Sequence, residues 1–362
     1  MKAAVYYGPG DMRIEERRKP EPGMDGAVVK VKDCGVCGFI DIPAWETPDG
    51  MGAGKSRGHE WSAEIVEIGS NVRNFKVGDR VYIEPVFKPC YRCEACLQKD
   101  YWRCSSPNMA LDGAFAEYLW LPFLPKDGAM KLNETGLTDR DLALIEPLGL
   151  AVGVAQKAQP GDTVVVIGQH LVGLGITAYL KQKMGVAKVI TGSVSKKHLK
   201  ASEEVGADIT VNCTEKDIAK VVLQETKGRG ADQVMVTDWR PGALLEAIGS
   251  LKRAGIIWGC SYGFTIRLGG QAGHVPRYQL GMDYHGPIEP AISFEPSFAY
   301  MRIAWGTMGL RIPRFLEVID LMKSGKITAK KYVTDIFPLA KTKEAFDRAL
   351  DINETIEVMV EP

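Results

Sequence analysis

Thr163-Val164-Val165-Val166-Ile167-Gly168-Gln169-His170-Leu171-Val172-Gly173 joins a strand to a helix through a glycine-bounded turn. Thr163–Ile167 is an unbroken apolar, β-branched run, the pattern of a strand buried on both faces. Val172, Ile176, Tyr179 and Leu180 then recur at helical spacing. The turn between them resembles the G-x-G-x-x-G of a dinucleotide fold, with His170 where the middle glycine would stand. Such a turn offers backbone N–H groups to a pyrophosphate, so Gly168, His170, Leu171, Val172 and Gly173 are candidate cofactor contacts. His170 reads equally as a tolerated surface histidine.

Strand and helix alternate onward from this turn. Strands are expected at 188–191, 209–211, 233–237 and 255–259. Helices are expected at 196–205 and near 216–226 and 241–251. This alternation predicts parallel βαβ units over residues 152–298. Residues 1–151 have another texture: short strands (27–31, 63–68 and 80–83) broken by turn signals such as Gly69-Ser70-Asn71 and Val77-Gly78-Asp79. After residue 298 a helix at 314–324, a strand at 332–338 and a helix at 341–350 can rejoin the first domain. The expected fold class is α/β: a β-rich domain from residues 1–151 and 299–362, and a doubly wound domain with a parallel sheet.

Bulk properties fit two globular domains. The chain has 362 residues, 45% hydrophobic and 25% charged, with 45 basic and 45 acidic side chains. Zero net charge gives no pull toward nucleic acid or an anionic membrane. The N-terminal residues lack a signal-peptide pattern, and no run of about 18 apolar residues suggests a membrane span. The expected location is the cytoplasm, where disulfides are rare, so the eight cysteines are read first as thiols or metal ligands.

Cys90, Cys93, Cys96 and Cys104 are spaced C-x2-C-x2-C-x7-C. Four close thiolates satisfy a tetrahedral Zn²⁺ with no open position. The spacing predicts a zinc-stapled lobe over about residues 88–106; an iron–sulfur cluster is the chemical rival. A second set is scattered: Cys37 in Cys34-Gly35-Val36-Cys37-Gly38, His59 and Glu60 in Gly58-His59-Glu60-Trp61, and Glu146 before Pro147. Catalytic zinc takes few protein ligands and leaves an exchangeable position. Zinc there would polarise a carbonyl or acidify an alcohol. Spacing alone does not separate this reading from a structural His59, or from Glu146 closing a helix ahead of proline.

The second strand of a dinucleotide fold normally ends in a carboxylate that binds the ribose 2′-hydroxyl. Here the chain reads Thr191-Gly192-Ser193-Val194-Ser195-Lys196-Lys197. Hydroxyls and lysines would attract a 2′-phosphate, so Ser193 and Lys197 favour NADP over NAD. The alternative is that both lysines are a solvated first helical turn.

Together these residues resemble the zinc-dependent medium-chain dehydrogenase/reductase family, in its alcohol and polyol dehydrogenase branch. The resemblance runs nearly the whole chain: Met1-Lys2-Ala3-Ala4, Gly58-His59-Glu60, Val77-Gly78-Asp79-Arg80-Val81, the four-cysteine lobe, Asp112-Gly113-Ala114-Phe115-Ala116-Glu117-Tyr118, Glu146-Pro147-Leu148 and Gly206-Ala207-Asp208. It implies a GroES-like catalytic domain from both chain ends, an inserted Rossmann domain, and an active cleft between them. It makes Cys37 and His59 ligands of a catalytic zinc, Glu60 a ligand or exchangeable neighbour, and Glu146 the remaining ligand. It gives the four-cysteine lobe a structural zinc, places Asp238 beside the cofactor, and implies a homodimer or homotetramer acting on CH–OH donors.

Some positions depart from the family. Gly38 is followed by Phe39, Ile40 and Asp41, where a hydroxyl residue and then Asp are usual. Phe39 cannot pass a proton; Asp41, Glu60 or water would replace it. If no relay exists, the same fold could reduce a conjugated C=C or C=N bond. A non-catalytic zinc or nucleotide-binding protein is a more distant alternative. Trp239 would narrow the nicotinamide side or simply pack. Tyr284, His285, Phe294, Phe298, Tyr300 and Trp305 would line a hydrophobic substrate pocket or the core.

Overall fold

The computed structural model describes residues 1–46, 52–83, 90, 92–98, 105, 113–124, 129–238, 240, 242–259, 267–268, 271–272, 302–305 and 312–362. They form two compact units, Met1–Gly149 with Leu310–Pro362, and Leu150–Gly309.

The first unit is built on the strand Ala27–Gly35. It pairs antiparallel with Glu60–Ile68 along its length, with Tyr118–Leu121 over its first half, and with Glu357–Glu361 at its end. The last pairing brings the C-terminus into the N-terminal sheet. Aromatic contacts join the same parts of the chain: Trp45 and Phe115 each meet Phe346, at 5.2 and 5.3 Å between centroids, and Tyr82 meets Phe315 edge-on at 5.0 Å. A Thr138/Asp141 capping box starts the helix Asp139–Ala143, and Asp141 also accepts the Ala329 N–H at 2.8 Å.

The second unit is a six-stranded parallel sheet. Counted along the chain, its strand order is 3-2-1-4-5-6, the doubly wound arrangement. Thr163–Ile167 is the first strand, and every residue in it is buried. Each of its Val and Ile side chains contributes about 1.5–3 kcal/mol. The expected strands and helices appear with ends moved by at most four residues, and 163–167 and 196–205 are unchanged. Sequence periodicity missed the sixth strand, Arg302–Trp305, which pairs with Leu251–Gly259. That pairing goes with the extent of the second unit, which runs to Gly309. No helix among the described residues is long and apolar enough to cross a membrane.

Candidate active site

Two chain segments place the first set of chemical groups. Cys37 follows the strand Ala27–Gly35, and His59 and Glu60 open its neighbour Glu60–Ile68. Antiparallel pairing sets Gly35 opposite Glu60, so both segments reach the same end of the sheet. One donor atom from each of Cys37, His59 and Glu60 lies within 4.8 Å of the others.

Glu146 joins them from the helix Ile145–Ala155, and its charge acts on both Cys37 and Glu60. The reading of Glu146 as a helix end is corrected here: it opens this helix. Pro147 sits in the first turn, where its missing N–H leaves no bond unmade.

Asp41 is 1% exposed, and its Oδ2 accepts the Cys37 backbone N–H at 3.1 Å. Phe39 is also buried. Burial, then repulsion from Glu60, Asp41 and Glu146, pushes the Cys37 thiol well up. Burial likewise raises Asp41, Glu60 and Glu146; His59 opposes the rise at Asp41 and Glu146. His59 Nε2 and Glu60 Oε2 are buried without a hydrogen-bond partner among the described residues. Converging S, N and O donors, excess negative charge and orphaned polar atoms are what a divalent cation would satisfy, so the set fits zinc.

Sequence reasoning missed one further group. Glu357, buried at the start of Glu357–Glu361, has the largest charge effect on Glu60, and its Oε1 also lacks a partner. No motif marks it, because its proximity comes from strand pairing across about 300 residues of sequence.

In the lobe, Cys90, Cys93 and Cys96 bring their sulfurs within 4.8 Å of one another, with Cys90 and Cys96 3.9 Å apart. Backbone N–H groups of Ser105 and Cys96 pull Cys93 down to about 6. Cys104 lies outside the described residues, as do Trp239, Tyr284, His285, Phe294, Phe298, Tyr300 and the Trp305 side chain.

The glycine turn is built by close contacts. Gly168 has φ +95°, and a Cβ on Gly173 would lie 2.0 Å from the Gly168 carbonyl oxygen. Helix Leu171–Tyr179 therefore starts directly behind the turn, with the backbone of Leu171, Val172 and Gly173 in its first turn. His170 Nε2–H donates to the Thr237 carbonyl at 2.8 Å, which ties the turn to the neighbouring strand. Gln169, wholly buried and unremarked in the sequence, accepts from Thr177 and Ser202 and donates to the Val166 carbonyl.

Ser193 ends its strand, buried, accepting the Ser195 N–H at 3.2 Å. Lys196 faces Glu215 at 3.6 Å, while Lys197 is exposed in the first turn of Lys196–Val205. Asp238 is committed to Arg240, which also holds Glu246.

Residues 23–134 match the family model "Alcohol dehydrogenase GroES-like domain", and residues 172–266 match "Zinc-binding dehydrogenase". A sorbitol dehydrogenase of Halalkalibacterium halodurans is 30% identical over all of this chain and 99% of its own. The crystal structure of 2R,3R-butanediol dehydrogenase from Bacillus subtilis superposes with a TM-score of 0.78 at 26% identity, covering 100% of this chain and 99% of that one. An alcohol dehydrogenase from Escherichia coli CFT073, solved with NADH, gives a TM-score of 0.77 at 25% identity over the same shares.

Proposed function

The chain belongs to the zinc-dependent medium-chain dehydrogenase/reductase family, and from that premise we propose that it oxidises a secondary hydroxyl of a polyol or sugar alcohol with NADP as hydride acceptor. The general activity goes with the family: a zinc-dependent oxidoreductase moving hydride between a nicotinamide nucleotide and an alcohol or carbonyl. The relatives named for sorbitol and butanediol support the alcohol reading over reduction of a C=C or C=N bond.

One observation carries the chemistry: the Cys37, His59 and Glu60 donors lie within 4.8 Å of one another. With Glu146 they would hold a zinc ion, which supplies Lewis acidity toward a substrate oxygen. A bound nicotinamide would supply the hydride acceptor, and the chain supplies position. Asp41 grips the Cys37 N–H and so fixes the loop that presents the thiol. With Phe39 offering no hydroxyl, the alcohol proton leaves by water past Asp41 or Glu60. We assign Gly168, Leu171, Val172 and Gly173 to the pyrophosphate, and Ser193 and Lys197 to the 2′-phosphate. His170 and Asp238 shape that site through Thr237 and Arg240.

The first unit is then the catalytic domain and the second the nucleotide-binding domain. A second zinc would sit in the lobe on Cys90, Cys93 and Cys96, with Cys104 as fourth ligand, in a cytoplasmic homodimer or homotetramer.

The test is a screen of polyols, sugar alcohols and simple secondary alcohols with NADP⁺ and NAD⁺, before and after chelation. The expected result is NADP⁺-linked polyol oxidation that chelation abolishes and Zn²⁺ restores. Oxidation that survives complete metal removal, or activity confined to double-bond reduction, overturns the reading.

A further inference from the structure

Glu357 is 8% exposed, its Oε1 has no hydrogen-bond partner among the described residues, and the chemistry above does not use it. Glu60, 3% exposed, has an Oε2 in the same condition. The sheet register accounts for their meeting. Gly35 pairs with Glu60 on one side and with Met359 on the other. Glu357 stands two residues before Met359, on the same face of its strand. A Cβ on Gly35 would lie 2.5 Å from Glu60 Oε2 and 2.8 Å from Glu357 Oε1. Both carboxylates thus enter the space that any other residue at position 35 would fill.

The charges bearing on this pair are themselves acidic. Asp41 and Glu146 act on Glu357; Glu357, Glu146 and Asp41 act on Glu60, while the Cys37 side chain opposes the rise at Glu60. Two buried carboxylates with unbonded oxygens do not stabilise a fold. Placed behind a dication, the same charge strengthens the site and turns the nearer carboxylate, as outer partners of metal ligands do.

We propose that Glu357 is a positioning residue of the metal centre: across the open face of Gly35 it sets the orientation of the Glu60 carboxylate and tightens the hold of Cys37, His59 and Glu60 on a divalent ion. The inference rests on the metal reading of that set. The Glu357 carboxyl touches neither substrate nor cofactor in this role; it acts through Glu60.

The experiment uses full-length wild type, Glu357→Gln, Glu357→Asp and Cys37→Ser. Zn²⁺ affinity is measured by chelator competition. The visible absorption of bound Co²⁺ is recorded as a difference from Cys37→Ser, which cancels the four-cysteine lobe. Glu357→Gln, equal in shape but uncharged, is expected to weaken metal binding by about tenfold or more and to shift the Co²⁺ bands. Glu357→Asp is expected to recover most of both. If Glu357→Gln matches wild type in affinity and spectrum while Cys37→Ser loses the ion, the role of Glu357 is overturned and the metal reading stands. If Cys37→Ser retains the ion, the metal reading itself falls. Should Glu357→Gln fail to fold, Gly35→Ala carries the same test: it keeps every charge, fills the shared space, and overturns the proposal if the Co²⁺ bands do not move.

Discussion

The Oδ2 of Asp41 accepts the backbone N–H of Cys37 at 3.1 Å, so a buried carboxylate fixes the residue that offers the thiol. Asp41 stands one position later than the family resemblance expects, and this bond gives it a role there. Asp41→Asn keeps an acceptor for the N–H; Asp41→Ala leaves the loop unheld. We expect Asp41→Ala to lose about 10–100-fold in zinc affinity and Asp41→Asn to lose less. Metal content after graded chelator dialysis orders the three proteins, and equal retention in all three refutes the assignment.

Cys37→Ser and His59→Ala remove a donor from the set without opening a large cavity. Both should fold, with circular dichroism unchanged, and bind one zinc where the wild type is expected to bind two. Loss of several kcal/mol of transition-state stabilisation corresponds to on the order of 10³-fold in turnover. Near-normal kcat in either variant, assayed with zinc present, would remove Cys37 and His59 from the chemistry.

Gly173 has no room for a side chain, because its Cβ would stand 2.0 Å from the Gly168 oxygen. Gly173→Ala must push the helix away from the turn, and such overpacking costs about 1–3 kcal/mol. At about 2–4 °C per kcal/mol for a domain of this size, the variant should melt several degrees lower. Its nucleotide affinity should fall as well, while zinc content stays normal. Unchanged NADPH binding by fluorescence titration would separate the turn from the cofactor.

How far the sequence discloses the molecule depends on the range of each interaction. Thr163–Ile167 and the helix after it could be read from residues a few places apart, because burial on both faces leaves a local β-branched signature. The strand Ala27–Gly35 outran its expected end at 31. Lys32, Asp33 and Cys34 break the apolar pattern, yet cross-strand pairing continues to Gly35. That unforeseen extension sets Gly35 beside Glu60. Cys37, His59, Glu60 and Glu146 were legible as a resemblance, since three short motifs carry them. Glu357 was not, because only pairing between Gly35 and Met359 brings its strand to the site. His170 was readable as a turn residue, but not as the partner of the Thr237 carbonyl, which follows the fourth strand, Ala231–Val236, in the sheet.

Ser193 ends the second parallel strand with a hydroxyl where NAD-binding chains place a carboxylate. Ser193→Asp can still accept the Ser195 N–H, so the turn should survive the change. At an effective dielectric of ~20, unit charges about 4 Å apart repel by about 4 kcal/mol, ample to reject a 2′-phosphate. NADPH affinity should fall at least about tenfold, with NADH affinity held or improved. A wild-type enzyme that prefers NADH by tenfold, or a variant with undiminished NADPH binding, defeats the reading.

Asp33 provides a stability test away from the metal set. Its carboxyl is 7% exposed and accepts from Arg140 Nε at 2.9 Å, yet burial pushes it up to about 6. The guanidinium lowers it less than burial raises it, and Glu361 and Asp139 repel Asp33 further. The folded value is therefore raised above the ordinary 3.8. The associated stability is fully present below 3.8 and is lost as pH rises through about 6, because the unfolded chain sheds its proton first. The difference amounts to about 3 kcal/mol. Asp33→Asn mimics the protonated form at every pH. It should match wild type near pH 4 and exceed it by that order near pH 7, read from denaturant unfolding at both values. If the Arg140 ion pair outweighs burial, Asp33→Asn will instead be the less stable protein at neutral pH, and the raised carboxyl must be abandoned.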